Sequence, residues 1–381
     1  MSTNATETRI IADDAIAEPL LSYLREHTTS GAVRYVAPPS RFAAGEESRV
    51  FEFQLLTAEE AWARPLVLKL FGAHVESSRA PCEATIQLAV ADAGVPAPRP
   101  LSVCEDTSAL GGPFIIMARM PGRPMLEELT STNPRLLRVI LSARTLRFRM
   151  PDVIASLMAR LHAIDAQPLL ERLSGSSGSP IVLGARGLAG RLGVIEQRFD
   201  MSRLDGFTDA IHWLRNHAPP DPECPSICHG DFWFGNVIQE RGKVTGIVDW
   251  SADLCMIGDP MYDVGVTSVT LKCGMADVPG PMRAIARFGQ RRIAQRFVNA
   301  YRKLRPVDDE RLRYFEVLRA IEFLQFVAWR RSDPSIAPHE RGMLEVKGAT
   351  EAFPEFIREH TGIEIEWPRP QADKIGDATE R

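Results

Sequence analysis

The sequence predicts an α+β protein in two lobes, a smaller strand-rich lobe followed by a larger, mostly helical one. Three observations carry this. At 381 residues the chain is long enough for two cores. Residues 33–71 and 114–117 are β-rich, with Val, Leu, Ile and Phe in short runs between polar connectors. Beyond Ala118-Arg119-Met120-Pro121-Gly122, which reads as the crossing between lobes, apolar residues fall mostly at helical spacing.

Residues 1–30 form an N-terminal extension, with Ile16, Leu20, Leu21 and Leu24 on one stripe of an amphipathic helix over 12–27. The N-terminal lobe spans 31–120. Val33–Tyr35, Val50–Leu55 and Leu66–Phe71 read as strands. The connector between the first two, Phe42 to Arg49, holds Gly45 and Ser48. Its backbone N–H groups and the Ser48 hydroxyl could cover phosphates, or it is a plain turn, since it lacks a G-x-G-x-x-G pattern. Lys69 sits inside the apolar run Leu66–Phe71, and an ammonium there is costly unless something anionic meets it. Glu83 follows fourteen residues later on a helical segment, Glu83–Ala93, ended by Gly94 and Pro96. Either the two pair, as a strand lysine and a helix glutamate do around ATP phosphates, or Lys69 snorkels and Glu83 faces solvent.

The C-terminal lobe spans 121–365. Residues 135–149 hold five arginines and no acid, which reads first as a solvated helix face, otherwise as a basic helix that touches an anionic substrate or a membrane surface. A helix runs from Pro151 to Ile164. Residues 171–190 are Gly- and Ser-rich, and their G-x-x-G-x-x-G spacing is a flexible loop rather than a dinucleotide fingerprint. Helices follow near 190–202, 207–217, 282–304 and 308–330, and a polar tail occupies 366–381.

Composition narrows the function classes. Apolar content is 45%, charged content 25% and net charge −4, so nothing draws the chain to nucleic acid or an anionic membrane. No apolar stretch reaches membrane-spanning length, and the six cysteines form no CxxC pair, so they read as buried thiols of a cytoplasmic protein. Lysine occurs only six times against 39 arginines, and Lys69 is the only lysine before residue 243. That position calls for a compact ammonium rather than a planar fork.

The chemistry concentrates in residues 227–249. Val237-Ile238 and Val244–Val248 flank a turn around Gly242, which makes a hairpin with Asn236 and Asp249 opposite each other at its open end. Asp231 lies on the loop before it. One amide oxygen and two carboxylates therefore converge, hard ligands suited to Mg²⁺ with one carboxylate left as a base. The order D-x-x-x-x-N…D is the phosphoryl-transfer set. Each residue alone would read as a turn cap or a strand end. Asp259, before Pro260, and Asp263 one turn on read as structural braces.

His229-Gly230-Asp231…Asn236, Ile247-Val248-Asp249-Trp250 and Gly258-Asp259-Pro260-Met261-Tyr262-Asp263 together resemble the aminoglycoside phosphotransferase and choline kinase-like family over roughly residues 30–330. Gly94–Pro98, Phe114–Gly122 and Ala159–His162 add to the likeness. The resemblance implies a protein-kinase-like fold with a small antiparallel-sheet N-lobe and a mostly helical C-lobe. It implies ATP or GTP as donor with Mg²⁺ in the cleft, Asp231 as base, and Asn236 and Asp249 on the metal. Lys69 and Glu83 would clamp phosphates, and backbone groups from Met117 through Arg119 to Met120 would meet the purine. The acceptor would be a small hydroxyl-bearing molecule, an antibiotic, sugar or amino alcohol. Phe232-Trp233-Phe234 departs from the usual Leu-His-Pro of that loop. The alternative is a catalytically silent nucleotide-binding regulator on the same fold. Oligomeric state leaves no mark in the sequence.

Overall fold

The computed structural model describes residues 12–28, 33–42, 48–72, 75–125, 127, 149–174, 187–202, 207–274, 282–332 and 349–365. Gly45, the basic stretch as far as residue 148, residues 175–186 and the tail lie outside the described residues.

Five strands build the N-terminal lobe: β1 (Arg34–Phe42), β2 (Ser48–Leu56), β3 (Pro65–Phe71), β4 (Pro100–Cys104) and β5 (Phe114–Ala118). They pair antiparallel in the order β1-β2-β3-β5-β4. The two-residue period of a strand sorts the β3 side chains. Leu66, Leu68 and Leu70 bury on one face with Phe51, Phe53 and Ile116, beneath Ile16, Leu20 and Leu24 at the start and within α1 (Ala17–His27). Val67 and Phe71 face the other way, toward Ala80 and Ala84 of α2 (Arg79–Asp92). Lys69 shares the parity of Val67 and Phe71, so the alternation that buries the leucines turns its ammonium toward α2.

Helix α2 serves both lobes. Cys82, Ile86 and Val90 join the C-terminal core, while Arg79, Glu83 and Gln87 recur every four residues as a buried polar stripe. That stripe reaches three separate parts of the chain. Arg79 donates to the Asp253 carboxylate and, at 3.1 Å, to Ser251 Oγ. Glu83 takes Lys69, and Gln87 Nε2 donates to the Pro98 carbonyl at 2.6 Å. A helix with three buried polar anchors is fixed in rotation and in height, which positions Glu83.

In the C-terminal lobe, the helices after the short α3 (Thr107–Leu110) are α4 (Met150–Leu161), α5 (Gln167–Ser174), α6 (Gly187–Ser202), α7 (Phe207–Asn216), α8 (Met261–Cys273), α9 (Met282–Arg302), α10 (Asp309–Ser332) and α11 (Ala349–Thr361). α8 is buried on nearly every side, between α9 and α10. Two small β elements carry the functional loop. β7 (Ser226–Cys228) pairs with β10 (Met256–Gly258), and β6 (Arg123–Pro124) pairs with β8 (Val237–Glu240), which turns back into β9 (Lys243–Ile247). The β8–β9 turn is Arg241-Gly242, both at positive φ (50° and 76°), a two-residue connection whose twist matches the strands it joins. A register shift lies between Ile238 and Gln239, beyond which Val237 pairs with Ile247.

Candidate active site

The loop from His229 to Asn236 is held from below by one carboxylate. Asp263, fully buried on the first turn of α8, accepts from His229 N–H at 2.8 Å through Oδ2 and from Gly230 N–H at 2.7 Å through Oδ1. His162 Nε2 lies 3.1 Å from the same Oδ2, and its Nδ1 is 2.7 Å from the Tyr301 hydroxyl. Asp259 Oδ1 accepts the Met261 N–H at 2.8 Å, and its other oxygen takes Arg311. Asp263 thus braces the loop, while Asp259 caps the start of α8 and ties it to α10 through Arg311. His162, Cys228 and Asp263 have donor atoms within 4.8 Å of one another, but the thiol faces the Asp259 carbonyl and Asp263 is spent on backbone N–H groups. They make a structural knot rather than a cation site. All six cysteines are free thiols.

Gly230 must be glycine. Its φ is +80°, and a Cβ there would lie 2.0 Å from the Leu254 carbonyl oxygen. The aromatic departure in the loop is also structural. Phe232 and Phe234 are fully buried, Thr267 Oγ1 donates to the Phe232 carbonyl at 2.5 Å, and only Trp233 is partly open. Two buried phenylalanines contribute roughly 1.5–3 kcal/mol each and pin the loop to the core.

On this support Asp231 is fixed through both oxygens. Asn236 Nδ2 donates to its Oδ2 at 2.9 Å, and Arg319, from the middle of α10, donates to Oδ1 at 2.9 Å. Asn236 Nδ2 also donates to the Asp231 carbonyl at 2.9 Å. With its nitrogen so committed, the Asn236 amide oxygen turns the other way. Burial pushes the Asp231 carboxyl above the ordinary range. Arg319 counteracts this, while Asp249 adds to it.

Asp249 follows β9 at φ +64°, an uncommon conformation for a residue with a side chain. The Val248 N–H bonds the Asn236 carbonyl at 2.9 Å, so the two ends of the hairpin meet with Asn236 opposite Val248, one residue short of the expected partner Asp249. Asp249 keeps a half-exposed carboxylate, and its Oδ1 is 3.1 Å from Lys69 Nζ. Lys69 also donates to Glu83, which is 1% exposed, so two carboxylates compensate the desolvated ammonium. Burial works against the charged ammonium, but Glu83 and then Asp249 outweigh it and hold Lys69 firmly protonated. Lys69 in turn holds the Asp249 carboxyl below its usual range.

The remaining sequence-predicted residues fall at the margin of this cluster. Ser48 opens β2, opposite Phe71. Met117 ends the buried part of β5, with its sulfur 3.4 Å from Gln87 Nε2. The Arg119 N–H bonds the Pro65 carbonyl at 2.9 Å, and its guanidinium Nε lies 3.0 Å from Glu52. Met120 lies against Gly246, where a Cβ would come 2.7 Å from its Cγ. The crossing segment therefore rests directly on β9. Because the Arg119 N–H serves the sheet, a purine edge at this crossing would have to use other backbone groups. Arg319 was not among the predicted residues. It is one of 39 arginines, 88 residues from its partner, and no local pattern marks it.

A carboxylate beside an amide oxygen and a half-exposed carboxylate, with a lysine bridging to the last, is a donor set of hard oxygens. It fits a small divalent cation that shares its shell with phosphate. The chain is similar to Acyl-CoA dehydrogenase family member 10 of Mus musculus, at 28% identity over 68% of this chain, and it spans 22% of that relative's length. Among solved structures, a candidate aminoglycoside phosphotransferase of Ralstonia eutropha JMP134 superposes with a TM-score of 0.59 at 21% identity, covering 90% of this chain and 98% of that one. A thermostable mutant of aminoglycoside phosphotransferase APH(4)-Ia, in ternary complex with AMP-PNP and hygromycin B, superposes with a TM-score of 0.51 at 17% identity, covering 90% and 98%. These likenesses show a protein-kinase-like fold. The family model of the phosphotransferase enzyme family (APH) matches residues 39–315, a span that takes in Lys69, Glu83, Asp231, Asn236 and Asp249, and the chain belongs to that family.

Proposed function

We propose that this protein is a small-molecule O-phosphotransferase that moves the γ-phosphate of ATP or GTP to an acceptor hydroxyl. The supporting observation is the Lys69–Asp249 contact at 3.1 Å, which joins the N-terminal sheet to the hairpin end across 180 residues. Asp231 orients the acceptor hydroxyl and receives its proton. Asn236 and Asp249 would hold Mg²⁺, which supplies charge neutralisation of the triphosphate when bound. Lys69, steadied by Glu83, holds the non-transferred phosphates. The connector with Gly45 and Ser48 covers them, and Met117, Arg119 and Met120 border the purine. The lobes divide near residue 120, with an extension before residue 31 and a tail from 366. Among the described residues no helix is long and apolar enough to cross a membrane. That observation and the reduced cysteines support a cytoplasmic enzyme, with neither nucleic acid nor membrane as partner.

The acceptor is an antibiotic, sugar or amino alcohol by analogy with the structural neighbours. The five arginines of residues 135–149 favour a second acceptor class, a neutral or anionic hydroxyl compound.

Mass spectrometry of aminoglycosides, macrolides, sugars, amino alcohols and hydroxyacyl compounds, incubated with protein, Mg²⁺ and ATP or GTP, tests the reading. A phosphoryl mass gain with wild type and none with Asp231→Ala is expected. Full activity in Asp249→Ala would sink it. Tight nucleotide binding with no acceptor or water ever phosphorylated would point instead to the silent regulator.

A further inference from the structure

Helix α2 begins with a buried cation. Arg79 is its first residue, and no acid lies in that first turn. A cation there opposes the helix dipole, so Arg79 is not placed for the stability of α2 itself. Its partners lie on the other lobe. The guanidinium donates to the Asp253 carboxylate and, at 3.1 Å, to Ser251 Oγ, 174 and 172 residues away. Side-chain exposure is 8% at Arg79 and 14% at Asp253, so the pair is largely out of water. Asp253 sits on a tight turn that starts at Asp249. The Ser251 N–H donates to the Asp249 carbonyl at 2.9 Å, and the Cys255 N–H to the Ser251 carbonyl at 2.9 Å. That turn is held from behind. Arg191 of α6 donates to the Asp253 carbonyl, and its Nε donates to Glu322 of α10 at 2.5 Å. The Arg79 guanidinium thus ends on a part of the C-terminal lobe that is itself fixed.

The Lys69–Asp249 contact and the Arg79–Asp253 pair both tie the lobes together beside the site. They differ in what their members serve. Lys69 and Asp249 are the groups assigned to phosphate and metal, so their contact gives way to either ligand. Arg79 and Asp253 carry no such assignment, and their pair persists whether or not the site is filled. Phe71 lies against both cations, with Lys69 Nζ 5.4 Å and the Arg79 guanidinium carbon 5.7 Å from its ring centre. Glu83 is four residues beyond Arg79, one helical turn on. A rotation or lift of α2 at Arg79 would therefore carry the Glu83 carboxylate off Lys69. We propose that Arg79 and Asp253 form a latch that seats α2 on the C-terminal lobe and keeps Glu83 on Lys69, which makes both of them positioning residues for the phosphate site. This rests on Lys69 serving the phosphates, but the seating of Glu83 can be read without a ligand. The Ser251 hydroxyl is the lesser half of the latch, since it carries no charge to meet the guanidinium.

The test uses NMR of the full-length protein carrying ¹³C at the lysine Cε, at one pH, because six lysines give only six signals. The Lys69 signal is assigned by its loss in Lys69→Met, and Glu83→Gln gives its position with the pair broken. Arg79→Met removes the charge and keeps an apolar stem against Phe71. In Arg79→Met and in Asp253→Asn the Lys69 signal should move toward its Glu83→Gln position. A mere loss of stability would lower the unfolding midpoint and leave that signal of the folded protein in place. The affinity for Mg·ADP, by calorimetry, should fall about tenfold in each variant, the usual size of such couplings. In the double variant neither readout should change further than in the larger single, because one bond is removed twice. A Lys69 signal at its wild-type position in both single variants would overturn the proposal, as would effects that add in full. If Arg79→Met fails to fold, Asp253→Asn carries the test alone, and an unmoved Lys69 signal there overturns it. A moved signal with unchanged Mg·ADP affinity would leave the latch standing and sink the phosphate assignment of Lys69.

Discussion

Replacing Asp263 with Asn removes one charge and almost no volume, so it isolates what the carboxylate does. Its two oxygens serve two adjacent backbone donors, His229 N–H at 2.8 Å and Gly230 N–H at 2.7 Å, with His162 Nε2 as a third neighbour at 3.1 Å. An asparagine side chain has one acceptor and one donor end. Whichever way its amide is turned, one of the two backbone N–H groups meets an NH₂. No flip rescues both, and the site is sealed from water. An orphaned buried donor costs about 1–3 kcal/mol, and the surviving bonds lose their charge assistance, about 1 kcal/mol each. The sum is about 3–5 kcal/mol, a large fraction of the stability of a typical domain. Urea unfolding followed by tryptophan fluorescence measures it. Trp250 is a suitable reporter, fully buried with its ring centroid 4.5 Å from that of His229. A loss below about 1 kcal/mol would refute the argument, because it would mean the loop finds other partners for those N–H groups. Activity should fall further than stability explains, since Asp231 sits one residue beyond the freed Gly230.

Three more outcomes follow from the same geometry. Lys69→Met should weaken nucleotide binding at least tenfold by calorimetry, about 1.4 kcal/mol, while leaving Glu83 buried without its cation. An unchanged affinity would remove Lys69 from the phosphate site. Gly230→Ala should lose roughly 2–4 kcal/mol or fail to accumulate as soluble protein, because left-handed backbone strain adds to the contact with the Leu254 carbonyl. A soluble variant of wild-type stability would show that the loop can shift. The Lys69–Asp249 contact gives a pH signature. Lys69 depresses the Asp249 carboxyl in the folded state, so this contribution is complete above the unfolded carboxyl value, about 3.9, and is lost as pH falls through the lower folded value. Acid unfolding curves of wild type and Lys69→Met should therefore converge below that window and separate above it.

What could be read from the sequence depended on how far apart the cooperating residues lie and on whether a period linked them. Counting along the hairpin brought Asn236 to within one residue of its observed partner, because antiparallel pairing turns sequence spacing into adjacency: the chain pairs it with Val248, beside Asp249. The segment 66–93 alone leaves Lys69 and Glu83 either paired or apart, and the structure pairs them. Helices 150–161, 187–202, 207–216, 282–302 and 309–332 fall close to their apolar stripes. The short strands β6, β7 and β10, of two or three residues each, did not show, since a period of two needs more turns than that to register. Arg319 fails for a different reason. On α10 it falls among apolar positions and other charges, and its helix gives no hint that Asp231 lies across from it. Only the packing of α10 against α8, which itself carries Asp263 under the loop, brings the guanidinium to Asp231. Asp231, Asn236 and Asp249 were therefore legible as a cluster from local order, while the arginine that meets Asp231 is set by tertiary packing that no local pattern encodes.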